Sequence, residues 1–218
     1  MSPAAPDLVV FVIDDDPSLR RALARRLRAA GLQVETYASA EAFLDRSAGA
    51  EVGCLVTDLC MPGLSGLDLQ ASLARSGHTL PMVFISGHGD VRTSVQAMKA
   101  GAVTFLPKPF TDGEFLAAVR EALARSAELT SVRRDCASLS ARYQVLTARE
   151  REVFALVTAG LLNKLVADRL GIAEKTVKIH RGRVMEKMGA ASVADLVRMA
   201  ERLALPAEGA RASAQRRP

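Results

Sequence analysis

The chain has 218 residues, 49% of them hydrophobic, and its 29 Lys and Arg against 24 Asp and Glu give a formal net charge of +5. This hydrophobic content excludes a disordered chain, and no apolar run approaches the roughly 18 residues that a membrane helix needs. The N-terminal stretch "MSPAAPDLVVFVIDDD" lacks a basic segment and ends in three Asp, which argues against a signal peptide.

Five apolar stretches alternate with five amphipathic ones over the first 126 residues, the pattern of a parallel sheet with helices on both faces. Ser39 and Asp90 stand at N-cap positions of two predicted helices. In the fourth helix we expect Val91, Val95 and Met98 to face inward. The sequence therefore predicts an α/β fold with a doubly wound, five-stranded, flavodoxin-like parallel sheet. The predicted strands are 8–13, 33–37, 53–58, 81–86 and 102–106, and the predicted helices are 17–31, 39–46, 65–77, 90–101 and 111–126.

The second half of the chain has a different texture. Residues 126–143 are polar and lack a strong breaker, so they are either an irregular linker or an extension of the fifth helix. Beyond them only helical periodicity is present, and Thr147 with Glu150 forms a capping-box pattern. We predict a first domain over 1–125, a linker over 126–143, a small all-α helix-turn-helix domain over 144–205 and a flexible tail over 206–218.

Charge is divided unevenly along the chain. Residues 1–125 hold 12 Lys and Arg and 14 Asp and Glu, a net charge of −2, whereas residues 126–218 hold 17 and 10, a net charge of +7. This asymmetry favours a polyanionic partner for the C-terminal half. Residues 163–188 have the layout of a helix-turn-helix with Gly171 at the turn. A basic outer face on its second helix suits the major groove of DNA. That face contains Lys175, Lys178, Ile179, Gly182 and Arg183.

Polar side chains follow four of the predicted strands in the first domain. Asp14 and Asp15 follow the first strand, Asp58 ends the third, Ser86 ends the fourth, and Lys108 follows the fifth. The carboxyl ends of parallel strands meet at one edge of a sheet, where ligands bind. Clustered carboxylates favour Mg²⁺, and a carboxylate, an ammonium and a hydroxyl are the groups that phosphoryl transfer needs.

The stretches "VIDDD", "VTDLCMPGLSG", "ISGHGD" and "FLPKPF" resemble the receiver domain of two-component response regulators over residues 5–125. The resemblance implies that Asp58 accepts a phosphoryl group from a sensor histidine kinase. It implies that Lys108 pairs with that group and that Ser86, where the family more often has Thr, hydrogen-bonds it and acts with Phe105 as a switch. A cis Lys108–Pro109 bond is also implied. The implied ligands of Mg²⁺ (or Mn²⁺) are Asp14, Asp15, Asp58 and the backbone carbonyl of Cys60.

The stretches "LTAREREVFALVTAG", "NKLVADRLGIAEKTVKIH" and "VMEKM" resemble the LuxR-type DNA-binding domain over residues 144–203. The combination resembles the FixJ/NarL class, and "GHGDV" with "AMKAGAVTFLPKPF" places it on the FixJ side. Base contacts are implied near Lys178 and Ile179. The helix-turn-helix layout adds Lys175 to the candidate DNA contacts. Phosphate contacts are implied for Asn163, Lys164, Thr176 and either Arg181 or Arg183.

The sequence thus predicts a phosphorylation-switched transcription factor. Phosphorylation of Asp58 would either drive dimerisation or release the DNA-binding half from an inhibitory contact. The expected partners are a sensor histidine kinase, promoter DNA, RNA polymerase and a second copy of the chain, with no membrane. The three Cys are odd in number and lack metal-ligand spacing, so we expect reduced thiols and a cytoplasmic protein.

Two other functions compete with this one. A phosphatase of the haloacid-dehalogenase type would use Asp14 and Asp16 after the first strand, but it explains neither Asp58 nor the helix-turn-helix. A DNA-binding protein controlled without phosphate would leave the acidic cluster without a purpose. We therefore expect no enzymatic turnover beyond self-phosphorylation and autodephosphorylation at Asp58.

Several residues near these motifs have simpler interpretations. Asp16 is expected at the N-terminus of the first helix rather than as a metal ligand. His78 and His88 are expected in surface loops without a catalytic role. His180 turns inward on the helical wheel and is expected to pack. Gly182 lies on the DNA-facing side without a side chain, so base reading from that position is in doubt.

Overall fold

The computed structural model describes residues 8–46, 52–77, 80–87 and 91–203, without the side chains of 91–93. The first half of this part contains five strands, which are β1 (Val9–Ile13), β2 (Gln33–Tyr37), β3 (Gly53–Asp58), β4 (Met82–Ser86) and β5 (Thr104–Pro107). They form one sheet in the order β2-β1-β3-β4-β5, and every neighbouring pair is parallel. The predicted five-stranded parallel sheet is therefore confirmed.

Helices alternate with these strands and then continue alone. The helices are α1 (Pro17–Ala29), α2 (Ala40–Leu44), α3 (Gly66–Arg75), α4 (Val91–Lys99), α5 (Asp112–Gln144), α6 (Ala148–Thr158), α7 (Asn163–Leu170), α8 (Glu174–Met188) and α9 (Val193–Arg202). The predicted linker is thus helical and belongs to α5. The chain divides into two compact units between Ser131 and Val132. The domain limits at 125, 143 and 205 stay predictions, and the predicted tail lies outside the described residues.

The central strands β1, β3 and β4 are buried on both faces, as their uninterrupted apolar runs predict, whereas the edge strands β2 and β5 are partly exposed. Successive strand side chains point to opposite faces. Phe11 and Leu55 therefore join the core on one face of the sheet. Val10 and Cys54, their neighbours along β1 and β3, join the core on the other face.

The inward face predicted for α4 is wrong. Val95 and Met98 are each 45% exposed, and Ala97 is the residue that reaches the core among the described side chains of this helix. The helix packs beside β5, the edge strand, where the sheet offers only a narrow surface and a small side chain allows the closest approach. The side chain of Val91 and the predicted N-cap Asp90 lie outside the described part of the chain.

The start of α3 packs directly against the end of β3. A Cβ atom at Gly66 would lie 2.6 Å from the carbonyl oxygen of Asp58 and 2.9 Å from the Phe84 ring. Gly66→Ala should therefore lower the free energy of unfolding of the first unit by about 2 kcal/mol, because neither neighbour can move freely. Urea denaturation of the full chain measures the change. The matched control is Gly113→Ala, whose nearest contact would be an unstrained 3.9 Å to Thr111; equal midpoints for both variants would contradict the prediction.

The second unit has a core built from α6 to α9 and the end of α5. The predicted capping box is confirmed, since Thr147 and Glu150 each bond the backbone amide of the other. Glu150 also pairs with Lys187 of α8 at 2.6 Å, and the pair lowers the pKa of this carboxyl below its ordinary value. Gly171 ends α7 with a φ of 63°, a left-handed turn that favours glycine. No helix in the described ranges is long and apolar enough to cross a membrane.

Candidate functional site

The sheet brings the predicted phosphoryl-transfer residues to one edge. Asp58 is the last residue of β3 and Ser86 the last residue of β4. Asp14 directly follows β1, and Lys108 directly follows β5. Because all five strands are parallel, these four positions share the carboxyl edge of the sheet.

Within this edge the charged groups are close together. The Lys108 ammonium lies 2.5 Å from Oδ2 of Asp58 and 3.6 Å from Oδ2 of Asp14. Carboxylate oxygens of Asp14, Asp15 and Asp58 lie within 4.8 Å of one another. Asp14 is almost fully buried, Asp58 is at the margin of the surface, and Asp15 is exposed. The cluster therefore opens toward solvent on the side of Asp15 and Asp58.

Burial and charge shift the protonation of two of these groups. Burial raises the pKa of the Asp14 carboxyl above its ordinary value, and the nearby Lys108 charge offsets this only in part. Burial alone would lower the pKa of Lys108, but the hydrogen bond and charge of Asp58, followed by those of Asp14, raise it above its ordinary value. Lys108 is therefore an ammonium at neutral pH.

The acidic cluster has the composition of a divalent-cation site. Oδ2 of Asp14 is buried and has no hydrogen-bond partner among the described residues, and the Lys108 ammonium, 3.6 Å away, is its only charge partner there. An unsatisfied buried carboxylate oxygen is costly unless a cation or donor reaches it. Hard cations such as Mg²⁺ prefer carboxylate oxygens of this kind. The residues present thus fit a metal ion held by the three carboxylates.

Backbone hydrogen bonds hold the loops that supply the carboxylates. Oδ1 of Asp14 accepts from the amide of Asp16 at 2.8 Å, and Oδ1 of Asp58 accepts from the amide of Cys60 at 3.0 Å. Cys60 itself is exposed, and ligation through its carbonyl stays a prediction. Each acid is therefore oriented by the chain that follows it.

Sequence reasoning missed two side chains that brace these loops. The guanidinium of Arg20 in α1 donates to the carbonyls of Asp14 and Asp15. The carboxylate of Glu41 in α2 accepts from the amide of Leu64 at 2.8 Å, in the loop after Asp58. From the sequence alone, a charged residue on a surface helix is expected to contact only solvent. The available signals were the helix-start motif that contains Glu41 and the position of Arg20 one turn into α1.

The remaining predicted receiver residues lie beside the cluster. Ser86 is buried, and its carbonyl accepts from the amide of Lys108 at 2.7 Å. Phe105 of β5 is half-buried against the core that contains α4 residue Ala97. The Lys108–Pro109 bond is cis, as the resemblance implied. Ser86 ends β4 and Phe105 lies within the adjacent strand β5, while their switching role stays a prediction.

Other polar residues are placed as follows. Asp16 is the N-cap of α1 and accepts from the amide of Ser18, which confirms its predicted position and directs its carboxylate to the helix. A phosphatase site that uses Asp16 as a catalytic acid is therefore disfavoured. His180 is half-buried, which agrees with packing. His78 and His88 lie outside the described residues.

The second unit contains the helix-turn-helix in α7 and α8. Val166, Val177, Val184 and Met188 are buried and join the two helices to the core. Residues on the opposite side of α8 are exposed, as the helical wheel predicts. These exposed residues are Lys175, Lys178, Ile179, Gly182 and Arg183.

The predicted phosphate-contacting residues lie at the helix starts. Asn163 begins α7, and its side-chain oxygen accepts from the Arg181 guanidinium at 3.0 Å, which ties α7 to α8. Lys164 is exposed, and Thr176 is half-buried in the first turn of α8. Arg181 thus braces the two helices, which leaves Arg183 as the freer of the two alternatives for a phosphate contact.

Comparison with known proteins agrees with both units. Residues 10–120 match the response regulator receiver domain, and residues 144–200 match the bacterial regulatory proteins of the luxR family. Nodulation protein W of Bradyrhizobium diazoefficiens is 48% identical over 94% of this chain and 90% of its own length. Transcriptional regulatory protein FixJ of Azorhizobium caulinodans is 46% identical over 88% of this chain and 92% of its own.

Solved structures give the same assignment. The response regulator StyR is 44% identical, covers 90% of this chain and 99% of its own, and superposes with a TM-score of 0.80. Full-length FixJ from B. japonicum is 38% identical over 91% of this chain and 98% of its own, with a TM-score of 0.55. The chain therefore belongs to the two-component response regulators of the FixJ/NarL class, in which a receiver domain precedes a LuxR-type DNA-binding domain and the protein regulates transcription.

Proposed function

We propose that a sensor histidine kinase phosphorylates Asp58 and that this modification switches dimerisation and sequence-specific DNA binding. The observation that carries the proposal is the arrangement at the carboxyl edge of the sheet. The largely buried Asp58 carboxylate contacts the Lys108 ammonium at 2.5 Å, and its oxygen lies within 4.8 Å of oxygens from two further carboxylates.

The chemistry is an in-line phosphoryl transfer. A carboxylate oxygen of Asp58 forms a bond to phosphorus while the phosphorus–nitrogen bond of the donor phosphohistidine breaks, and the imidazole leaves with a proton from solvent. Lys108 neutralises charge on the transferred oxygens, and Ser86 donates a hydrogen bond to one of them. When bound, Mg²⁺ or Mn²⁺ would add charge neutralisation, held by Asp14, Asp15, Asp58 and the Cys60 carbonyl.

The acyl phosphate alters the charge at the sheet edge. The phosphoryl group carries about −1.5 to −2 charges and replaces the single charge of the Asp58 carboxylate, so the net change is about −0.5 to −1. Lys108 and Ser86 are drawn to this charge, and the surface of α4, β5 and Phe105 re-packs. That surface presents Val95 and Met98 to solvent, which supports an apolar dimer contact. The dimer would then engage two half-sites about one helical turn, or a multiple of it, apart.

The DNA contacts come from α7 and α8. Lys178 and Ile179 contact base edges in the major groove. The DNA phosphates are contacted by Asn163, Lys164 and Thr176, which orient the protein on the duplex. Lys175 and Arg183 are further contacts on the exposed side of α8. The protein acts in the cytoplasm, with promoter DNA and RNA polymerase as partners, and its only catalytic events are self-phosphorylation and autodephosphorylation of Asp58.

Donor-dependent DNA binding tests the proposal. Acetyl phosphate with Mg²⁺ should tighten binding to a promoter fragment at least about tenfold, a coupling of about 1.4 kcal/mol that is ordinary for a two-site switch. EDTA added before the donor should abolish the gain, because the carboxylate cluster then lacks its cation. Gel-shift titrations measure both. Equal affinity with and without the donor would defeat the proposed switch.

A further inference from the structure

A glycine interrupts the exposed side of the recognition helix. Gly182 is the ninth of the 15 residues of α8 (Glu174–Met188), in the helix interior, and is exposed. Its φ is not positive, so the backbone itself does not require glycine. A Cβ atom built there would meet no heavy atom within 4 Å in the part of the chain that the structure describes.

The fold of this unit therefore gives no reason for glycine at this position. Glycine in a helix interior is less favourable than alanine, because the unfolded chain loses more freedom on folding. Close packing and left-handed geometry, the two usual compensations, are both absent at Gly182 in the described structure. The remaining explanation for glycine at this position is a contact with a molecule outside the chain.

The neighbours of Gly182 identify the face concerned. Lys178 and Ile179 lie four and three residues before it and are exposed, with Ile179 50% exposed. On a helix, residues at these spacings share one face. Gly182 therefore leaves a gap between side chains on the helix face that contains the proposed base-contacting residues. The adjacent exposed Arg183 adds positive charge.

We infer that the major groove of duplex DNA contacts the backbone of α8 at Gly182, so that the missing side chain sets how deeply the helix enters. This inference rests on the proposed DNA binding by α8. A methyl group would hold the helix back by about 1.5 Å, the length of a carbon–carbon bond. That shift would stretch a hydrogen bond of about 2.9 Å beyond its useful range, so Lys178 would lose its base contact.

The test separates stability from binding. The full chain is treated with acetyl phosphate and Mg²⁺ and titrated with a 30-base-pair duplex that the wild type selects from a random-sequence library. Gly182→Ala should raise the melting temperature of the second unit by about 4 °C yet weaken binding about tenfold or more. Gly182→Lys should also weaken binding, although it adds a positive charge that would otherwise favour DNA.

The controls distinguish this inference from the proposed DNA binding on which it rests. Gly113→Ala, at an exposed helical glycine of the first unit, should leave DNA affinity unchanged. Binding by Gly182→Ala that equals or exceeds that of the wild type would overturn the inference. So would an equal loss of affinity for a duplex of unrelated sequence, because the loss would then not depend on base contacts. If the wild type selects no duplex at all, the proposed DNA binding itself fails.

Discussion

Replacing Asp58 by Asn abolishes phosphoryl incorporation and with it the donor-dependent gain in DNA affinity. The amide is nearly the same size as the carboxylate but is not a nucleophile, so no acyl phosphate forms. It also removes the charge that Lys108 contacts at 2.5 Å and one of the three carboxylates of the cation site. Incorporation of ³²P from labelled acetyl phosphate, followed by gel electrophoresis, should fall to background.

The matched control is Asp16→Asn, two residues from Asp14. The Asp16 carboxylate caps α1 by accepting from the Ser18 amide, and Asn is an equally good N-cap. This variant removes the same formal charge from the same edge of the sheet but should keep its label. Retention of the label by Asp58→Asn, or loss of the label by Asp16→Asn, would contradict the assignment of Asp58 as the phosphoacceptor.

The sheet and the phosphoryl site could be predicted because both follow from local patterns. Apolar runs alternating with helical periodicity specify parallel strands, and parallel strands bring their carboxyl ends together. Asp58, Ser86 and Lys108 each stand at such an end, so their proximity needed no knowledge of side-chain contacts. The pairing of Thr147 with Glu150 was predictable for the same reason, since a capping box is confined to four residues.

Features that depend on long-range packing could not be predicted in this way. The periodicity of α4 identifies an apolar stripe of Val95 and Met98, but which side meets the sheet depends on the edge strand β5. The contacts of Arg20 with the Asp14 carbonyl and of Glu41 with Leu64 join separate elements. Such contacts leave no periodic signal in the chain.

The positive charge of the second unit leads to a quantitative expectation for DNA binding. Each phosphate that a protein neutralises steepens the fall of log K with log salt concentration by about 0.9. Lys164 and Arg183 are exposed on α7 and α8 and are the proposed phosphate contacts with a full charge. The double variant Lys164→Gln/Arg183→Gln should therefore have a slope shallower by about 1.8 and, at 0.1 M salt, an affinity about 60-fold lower.

Titrations of the phosphorylated chain with duplex DNA between 50 and 300 mM salt measure the slope. The control Arg198→Gln/Arg202→Gln removes two charges from α9, where they pair with Asp195 and Asp135, and should leave the slope unchanged. A general effect of net charge would flatten both slopes alike, because it does not depend on where the charges lie. A change confined to the first variant would locate counterion release at α7 and α8, as a helix docked in the major groove requires.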